Sequence, residues 1–138
     1  MHLTKKSSYG LIAILELAGA SAESPRPASR IAHRYSLPPA FIEKIFYELR
    51  HAGLVHSKQG RSGGYYLAKP AETITVREVL ESLGETLDLV GCLSGDSNCE
   101  LDHCCPTQGA WRQIDHRFKK MLESLSIRSL LEDGERSR

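Results

Sequence analysis

A chain of 138 residues, 41% hydrophobic and 25% charged, has the make-up of one globular domain, or of one domain with an appended helix. No apolar run reaches the roughly 18 residues that span a membrane; the most apolar stretch, Leu11–Leu17, is broken by Glu16 and no secretory leader is read, so a cytoplasmic protein with reduced thiols is expected. The net charge of +1 hides an asymmetry: residues 1–70 hold ten Lys/Arg against four Asp/Glu and residues 71–138 hold eight against thirteen, so only the first half suits a polyanion.

Thr4 is placed to cap a first helix that runs to about Ala20, with Leu11, Ile12, Leu15 and Ala18 as its buried stripe and Ile14 and Leu17 widening it. Ala20–Pro27 reads as a loop. A short second helix, about Ala28–Tyr35, is followed by the Ser36-Leu-Pro-Pro39 turn. Pro39 suits the first position of a third helix, where a missing N–H costs nothing. That helix runs to about Ala52, buries Ile42, Ile45, Phe46 and Leu49, and ends at Gly53. Leu54–Lys58 and Tyr65–Ala68 alternate like the strands of a hairpin, with a glycine-rich tip at Gln59–Gly64 that carries Arg61.

Thr75-x-x-Glu78 is a capping box for a fourth helix with Val76, Val79, Leu80 and Leu83 on its apolar face and Gly84 at its end. A long helix follows from Pro106 to about Leu125, on which Trp111, Ile114, Phe118, Met121, Leu122 and Leu125 recur in steps of three and four. Spacing this close to a heptad favours packing along another helix, and a homodimer through Trp111, Ile114, Phe118, Met121 and Leu125 is expected. Ser126–Leu131 reads as a short extra turn and Glu132–Arg138 as a frayed tail. The organisation is therefore a winged helix-turn-helix unit over 1–84, a cysteine-rich loop over 85–105, a dimerisation helix and turn over 106–131, and a tail over 132–138: mainly α with one small β-hairpin.

Helix, turn, helix and hairpin in that order can read DNA. The third helix enters the major groove by its N-terminal turn, presenting Pro39, Ala40, Phe41, Glu43 and Lys44. Glu43 can accept from cytosine N4, and Lys44 can donate to guanine or phosphate. Arg61 on the hairpin tip suits a narrow minor groove, and Gly63, Gly64 and Tyr65 complete that tip. Ser7, Ser8 and Tyr9 on the first helix and Arg30 on the second are candidate phosphate contacts. Each feature alone fits a solvated surface equally well; the order of elements and the charge split favour double-stranded DNA.

All four cysteines, Cys92, Cys99, Cys104 and Cys105, lie in the loop between the fourth helix and the long one. So dense a set of soft ligands points to a metal or cluster site.

Three stretches carry a family resemblance: Met1-x-Leu3-Thr4-Lys5-Lys6-x-x-Tyr9; Leu37-Pro-x-x-Phe-Ile-Glu43-Lys-Ile-Phe-x-x-Leu49-Arg-x-x-Gly53-Leu54-Val55; and Arg61-x-Gly63-Gly64-Tyr65-x-Leu67. Together with the cysteine loop they resemble the IscR-type winged-helix regulators, the group that includes NsrR, RirA and CymR, over about residues 1–130. The resemblance implies a dimeric transcription regulator, a repressor in its simplest form, for a palindromic and A·T-rich operator. It places the recognition helix at residues 39–50 and the wing at about 59–66.

The resemblance further implies an iron–sulfur cluster on Cys92, Cys99 and Cys105, the last matching the family's third cysteine better than Cys104 because of Ala110 and Trp111 beyond it. A 2Fe–2S cluster is preferred to 4Fe–4S. The fourth ligand departs from the pattern: IscR-type members carry histidine where this chain has Gln108, and NsrR-type members use an acidic residue where it has Ser8. Cys104 and His103 are the local replacements, ahead of Asp102 and Glu100. Zinc on Cys92, Cys99, His103 and Cys105, and thiol-based redox sensing without any metal, are the alternatives. A non-DNA-binding cluster carrier or thiol oxidoreductase is the rival outside transcription, but no Cys-x-x-Cys pair, phosphate-binding loop or nucleophile–base motif supports an enzyme.

Overall fold

Ile42, Ile45, Phe46 and Leu49 have no exposed surface, which places their helix at the centre of the molecule. A computed structural model describes residues 2–93, 99–101 and 104–137. Among these the helices are α1 (Lys5–Glu16), α2 (Ala28–Arg34), α3 (Pro39–His51), α4 (Val76–Ser82), α5 (Gln108–Ser124) and α6 (Ile127–Arg136). The strands β1 (Val55–Lys58) and β2 (Gly64–Leu67) form the antiparallel hairpin, in register Val55 to Leu67 and Lys58 to Gly64.

The termini of these elements follow local chemistry. Thr4 caps α1 by accepting from the Ser7 N–H. Pro39 opens α3 as its first residue, and Gly53, with φ +82°, leaves it in the left-handed region. The Thr75–Glu78 capping box is present with both of its bonds. The long helix starts at Gln108, two residues after the expected Pro106, with Thr107 at its cap.

Two expectations change. The buried stripe of α1 is Ser7, Gly10, Ala13 and Ile14, continued by Leu17, whereas Leu11, Ile12, Leu15 and Ala18 are half-buried. Small residues face inward because α1 lies close to α4: a Cβ on Gly10 would stand 2.2 Å from Leu83 Cδ1. The C-terminal segment is not a short turn and a tail but a 10-residue helix, α6, reaching Arg136. It is opened by a Ser126–Ser129 capping box and anchored by the fully buried Ile127.

The main core joins α1, α2, α3 and the hairpin. A second, smaller cluster of Val76, Leu80, Leu87 and Leu122 joins α4 to α5. The chain after α5 returns to the start of α4: Val76 N–H donates to the Leu125 carbonyl at 2.8 Å and Ile127 N–H to the Ile74 carbonyl at 2.9 Å.

Candidate functional site

α3 carries its apolar stripe inward, so Pro39, Ala40, Glu43 and Lys44 are left exposed at its N-terminal end. Ser8, Arg30 and Arg61 are exposed as well, on α1, α2 and the hairpin tip. Ser7 is not available for a phosphate, being fully buried with its hydroxyl donating to Glu85 Oε1 at 2.5 Å, and the remaining residues expected at a DNA surface are partly turned inward. Tyr9 and Phe41 are half-buried and meet edge to face, with ring centroids 5.8 Å apart. Tyr65 stacks on Phe46 at 4.5 Å and donates its hydroxyl proton to Glu43 Oε2 at 2.6 Å. Tyr65 is thus a strut between the hairpin and α3. Burial, and then the bond to the Glu43 carboxylate, push its phenol up to about 12.

The wing is also tied to the loop before α2. Arg26 and Tyr65 exchange both backbone bonds, at 2.9 and 2.8 Å. Gly64 makes this approach possible: with φ +155°, a Cβ there would lie 2.4 Å from the Arg26 carbonyl carbon. Gly63 is similarly confined, 2.3 Å from the Lys58 carbonyl oxygen.

Between α2, α3 and the wing lies an open groove of about 350 Å³, lined in part by Ser29, Glu43, Arg50, Ser57, Lys58 and Tyr65. Arg50 donates to Ser57 Oγ at 3.1 Å. Arg50, Ser57 and Lys58 were not among the residues expected at the interface. The available signal was the spacing of Glu43 and Arg50, seven apart and hence on one face of α3.

The cysteines lie beyond α4. Cys92 is half-buried within a 3₁₀ turn at Gly91–Leu93. Cys99 and Cys104 are exposed; Cys105 is half-buried, with its Sγ 3.3 Å from Thr107 Oγ1. His103 and Asp102, named as possible ligands, lie outside the described residues. Among the described residues, no three His, Cys, Asp or Glu side chains gather as a metal site. The donor chemistry nevertheless suits an iron–sulfur cluster, since every cysteine is on this one segment.

The segment entering the cysteines is fastened to α5. Asp115, 8% exposed, accepts the Leu89 N–H on Oδ1 at 3.2 Å and pairs through Oδ2 with Lys119 Nζ at 2.9 Å. The same ammonium reaches Asp88 Oδ1 at 2.6 Å. Burial pushes the Asp115 carboxyl up, but the bonds from Lys119 and Leu89 outweigh it and the net direction is down. The bonds to Asp88 and then Asp115 raise Lys119. Sequence periodicity gave no hint of this acid, which sits at a helical position that a charged residue normally leaves to solvent.

Elsewhere along α5, Trp111, Ile114 and Met121 are 38%, 47% and 51% exposed. Phe118 and Leu125, expected in the same stripe, are half-buried against the chain's own α4–α5 cluster.

A family model described as an iron-dependent transcriptional regulator, Rrf2, matches residues 3–133. The chain belongs to the Rrf2 family. The transcriptional regulator IscR of Photorhabdus laumondii is 36% identical over 135 residues, spanning 98% of this chain and 82% of that one. The IscR of Vibrio vulnificus is 34% identical, with 98% and 80% covered. Among solved structures, CymR, the global cysteine regulator of B. subtilis, superposes with a TM-score of 0.78 at 28% identity, covering 94% of this chain and 95% of that one. T. potens IscR gives 0.73 at 28% identity, covering 100% and 91%. The protein is therefore an Rrf2-family transcriptional regulator of the winged-helix fold, and its relatives are regulators rather than enzymes. No helix among the described residues is long and apolar enough to cross a membrane.

Proposed function

We propose that this Rrf2-family regulator acts in the cytoplasm as a homodimer on a palindromic double-stranded operator, as a repressor, and that an iron–sulfur cluster held by Cys92, Cys99 and Cys105 tunes its affinity. One observation carries the reading. The cysteine segment connects the winged-helix part to α5, the helix on which the large apolar side chains Trp111, Ile114 and Met121 are exposed. Two-fold pairing through these side chains sets the separation of the two recognition helices, and half-site spacing follows from it. Residues at one end of α5 therefore bear on both.

Operator contact falls to the exposed α3 residues Pro39, Ala40, Glu43 and Lys44, with Arg61 at the wing tip and Arg50 and Lys58 along the groove. The lysines and arginines supply phosphate neutralisation, and Glu43 supplies base discrimination. Cys92, Cys99 and Cys105 offer three thiolates, with Cys104 or His103 as the local fourth donor in place of Gln108 and Ser8. When bound, a cluster of either the 2Fe–2S or the 4Fe–4S type supplies a tie among these thiolates that depends on iron and sulfide supply. The carrier alternative gives way to the regulator on the strength of the family. Thiol-redox sensing in the same fold is favoured by one observation, the exposure of Cys99 and Cys104.

Anaerobic purification with an absorption spectrum, analysis of iron, sulfide and zinc, and gel-shift titration of the loaded and stripped protein tests the reading. Iron with matching sulfide, and different operator affinities in the two forms, are expected. Stoichiometric zinc without sulfide, or one affinity for both forms, overturns it.

A further inference from the structure

We propose that Asp115 is the positioning residue of the cysteine segment: it seats Cys92 on α5, so that the first thiolate of the site has a fixed place relative to the dimer helix. The proposal concerns the geometry of this chain and, for its consequence in metal retention, rests on the cluster reading above.

Asp115 is one of the few polar side chains in the buried part of the molecule. A carboxylate so placed needs partners, and the two it has are informative. One is Lys119, a turn further along its own helix. The other is the backbone N–H of Leu89, 26 residues away in sequence and three before Cys92. A side chain that accepts from a loop backbone N–H fixes where that loop runs, whichever side chains the loop carries. Lys119 adds a second tether by pairing with Asp88, the neighbouring residue. Beyond Leu89 the chain turns at once: Leu93 N–H donates to the Val90 carbonyl at 3.2 Å and closes the turn that holds Cys92. Leu87, 4% exposed, inserts into the α4–α5 cluster just upstream. The path from α5 to the first thiol is thus a buried carboxylate, one backbone bond and one tight turn.

On the far side of the segment, Cys104 is exposed. Cys92 is half-buried where Cys104 is exposed, and the two thiols serve as a matched pair inside one molecule.

The test uses the full chain. Metal-free, reduced protein is treated with N-ethylmaleimide at neutral pH, and the rates at Cys92 and Cys104 are read by peptide mass mapping. Separately, protein reconstituted anaerobically with ferrous iron and sulfide is challenged with a chelator and followed by absorbance. Asp115→Asn removes the charge that Lys119 pairs with and weakens the acceptor for Leu89; a hydrogen bond to a charged group is worth about tenfold in a local opening equilibrium, and the Cys92-to-Cys104 rate ratio is expected to rise by about that factor. Chelator-driven iron loss is expected to accelerate in parallel. Asp88→Asn, at a half-buried position that removes only the second tether, is expected to give a smaller rise in the same direction and serves if Asp115→Asn fails to fold. An unchanged ratio in a variant with wild-type circular dichroism overturns the proposal. If the wild-type protein takes up no iron and sulfide, the cluster reading fails, and the maleimide ratio alone decides the role of Asp115.

Discussion

A phenol–carboxylate bond, Tyr65 to Glu43, is one of the links between the hairpin and α3, the two parts proposed to face DNA. Burial of the phenol, and then this bond, raise the pH at which it ionises. A tyrosine ordinarily ionises near 10; here the folded protein holds the proton up to about 12, so the folded state binds it more tightly than the unfolded chain does. The stabilisation is therefore complete below about pH 10 and is lost as pH rises through the folded value. In a spectrophotometric titration of the native protein, Tyr65→Phe should remove a phenol that ionises near 12, and Glu43→Gln should bring that phenol down. A Glu43→Gln profile identical to wild type would contradict the assignment. Neither effect was legible in the sequence. Residues 22 positions apart carry no periodic signal of contact, and Tyr65 reads equally as an exposed wing residue.

The elements were legible to the extent that their faces are marked by large apolar side chains. α3 is the plain case: Ile42, Ile45, Phe46 and Leu49 sit at steps of three and four, and all are buried. α1 was misread by one step because Ser7, Gly10 and Ala13 face inward, and small residues leave no hydrophobic mark even where packing is tightest. α6 was missed because its charged sequence outweighs Ile127, Leu130 and Leu131, and because its capping box uses Ser129 in place of the usual acid. The wing makes its own prediction. Gly64→Ala would drive a methyl group into the Arg26 backbone, which has no rotamer to yield. It should cost about 1–3 kcal/mol in urea unfolding, and operator affinity should fall further than stability because the wing is displaced. A midpoint equal to wild type would contradict the close approach.

For the whole molecule, the proposed pairing of two copies uses the exposed side chains of α5. Ile114→Glu and Met121→Glu each place a charge on an exposed position outside the α4–α5 cluster, so the fold of the subunit should survive while pairing is lost. Sedimentation should show a shift from dimer to monomer, and operator affinity should drop at least about tenfold as two half-site contacts become one. Phe118→Glu is the contrasting case: it also strikes the α4–α5 cluster, and should lower subunit stability together with pairing. Persistence of dimers in both Ile114→Glu and Met121→Glu would move the interface elsewhere. The cysteine-rich segment stands out in composition as a candidate site, whereas the bond from Leu89 to Asp115 does not, since a buried acid has the same letter as a solvated one.

The paired bonds between Ile74–Val76 and Leu125–Ile127 have one more consequence. They close α4, the cysteine segment and α5 into a loop whose mouth is stitched shut by backbone. Whatever happens to the contour length inside that loop, its two ends stay where the rest of the protein needs them. Extra residues between Cys92 and Pro106 would lengthen an already closed excursion, and doubling such a length adds only about 0.6 kcal/mol of closure entropy. Backbone closure therefore tolerates added length here, and the limit on cysteine spacing comes from the need of the proposed cluster to be reached by Cys92, Cys99 and Cys105 together.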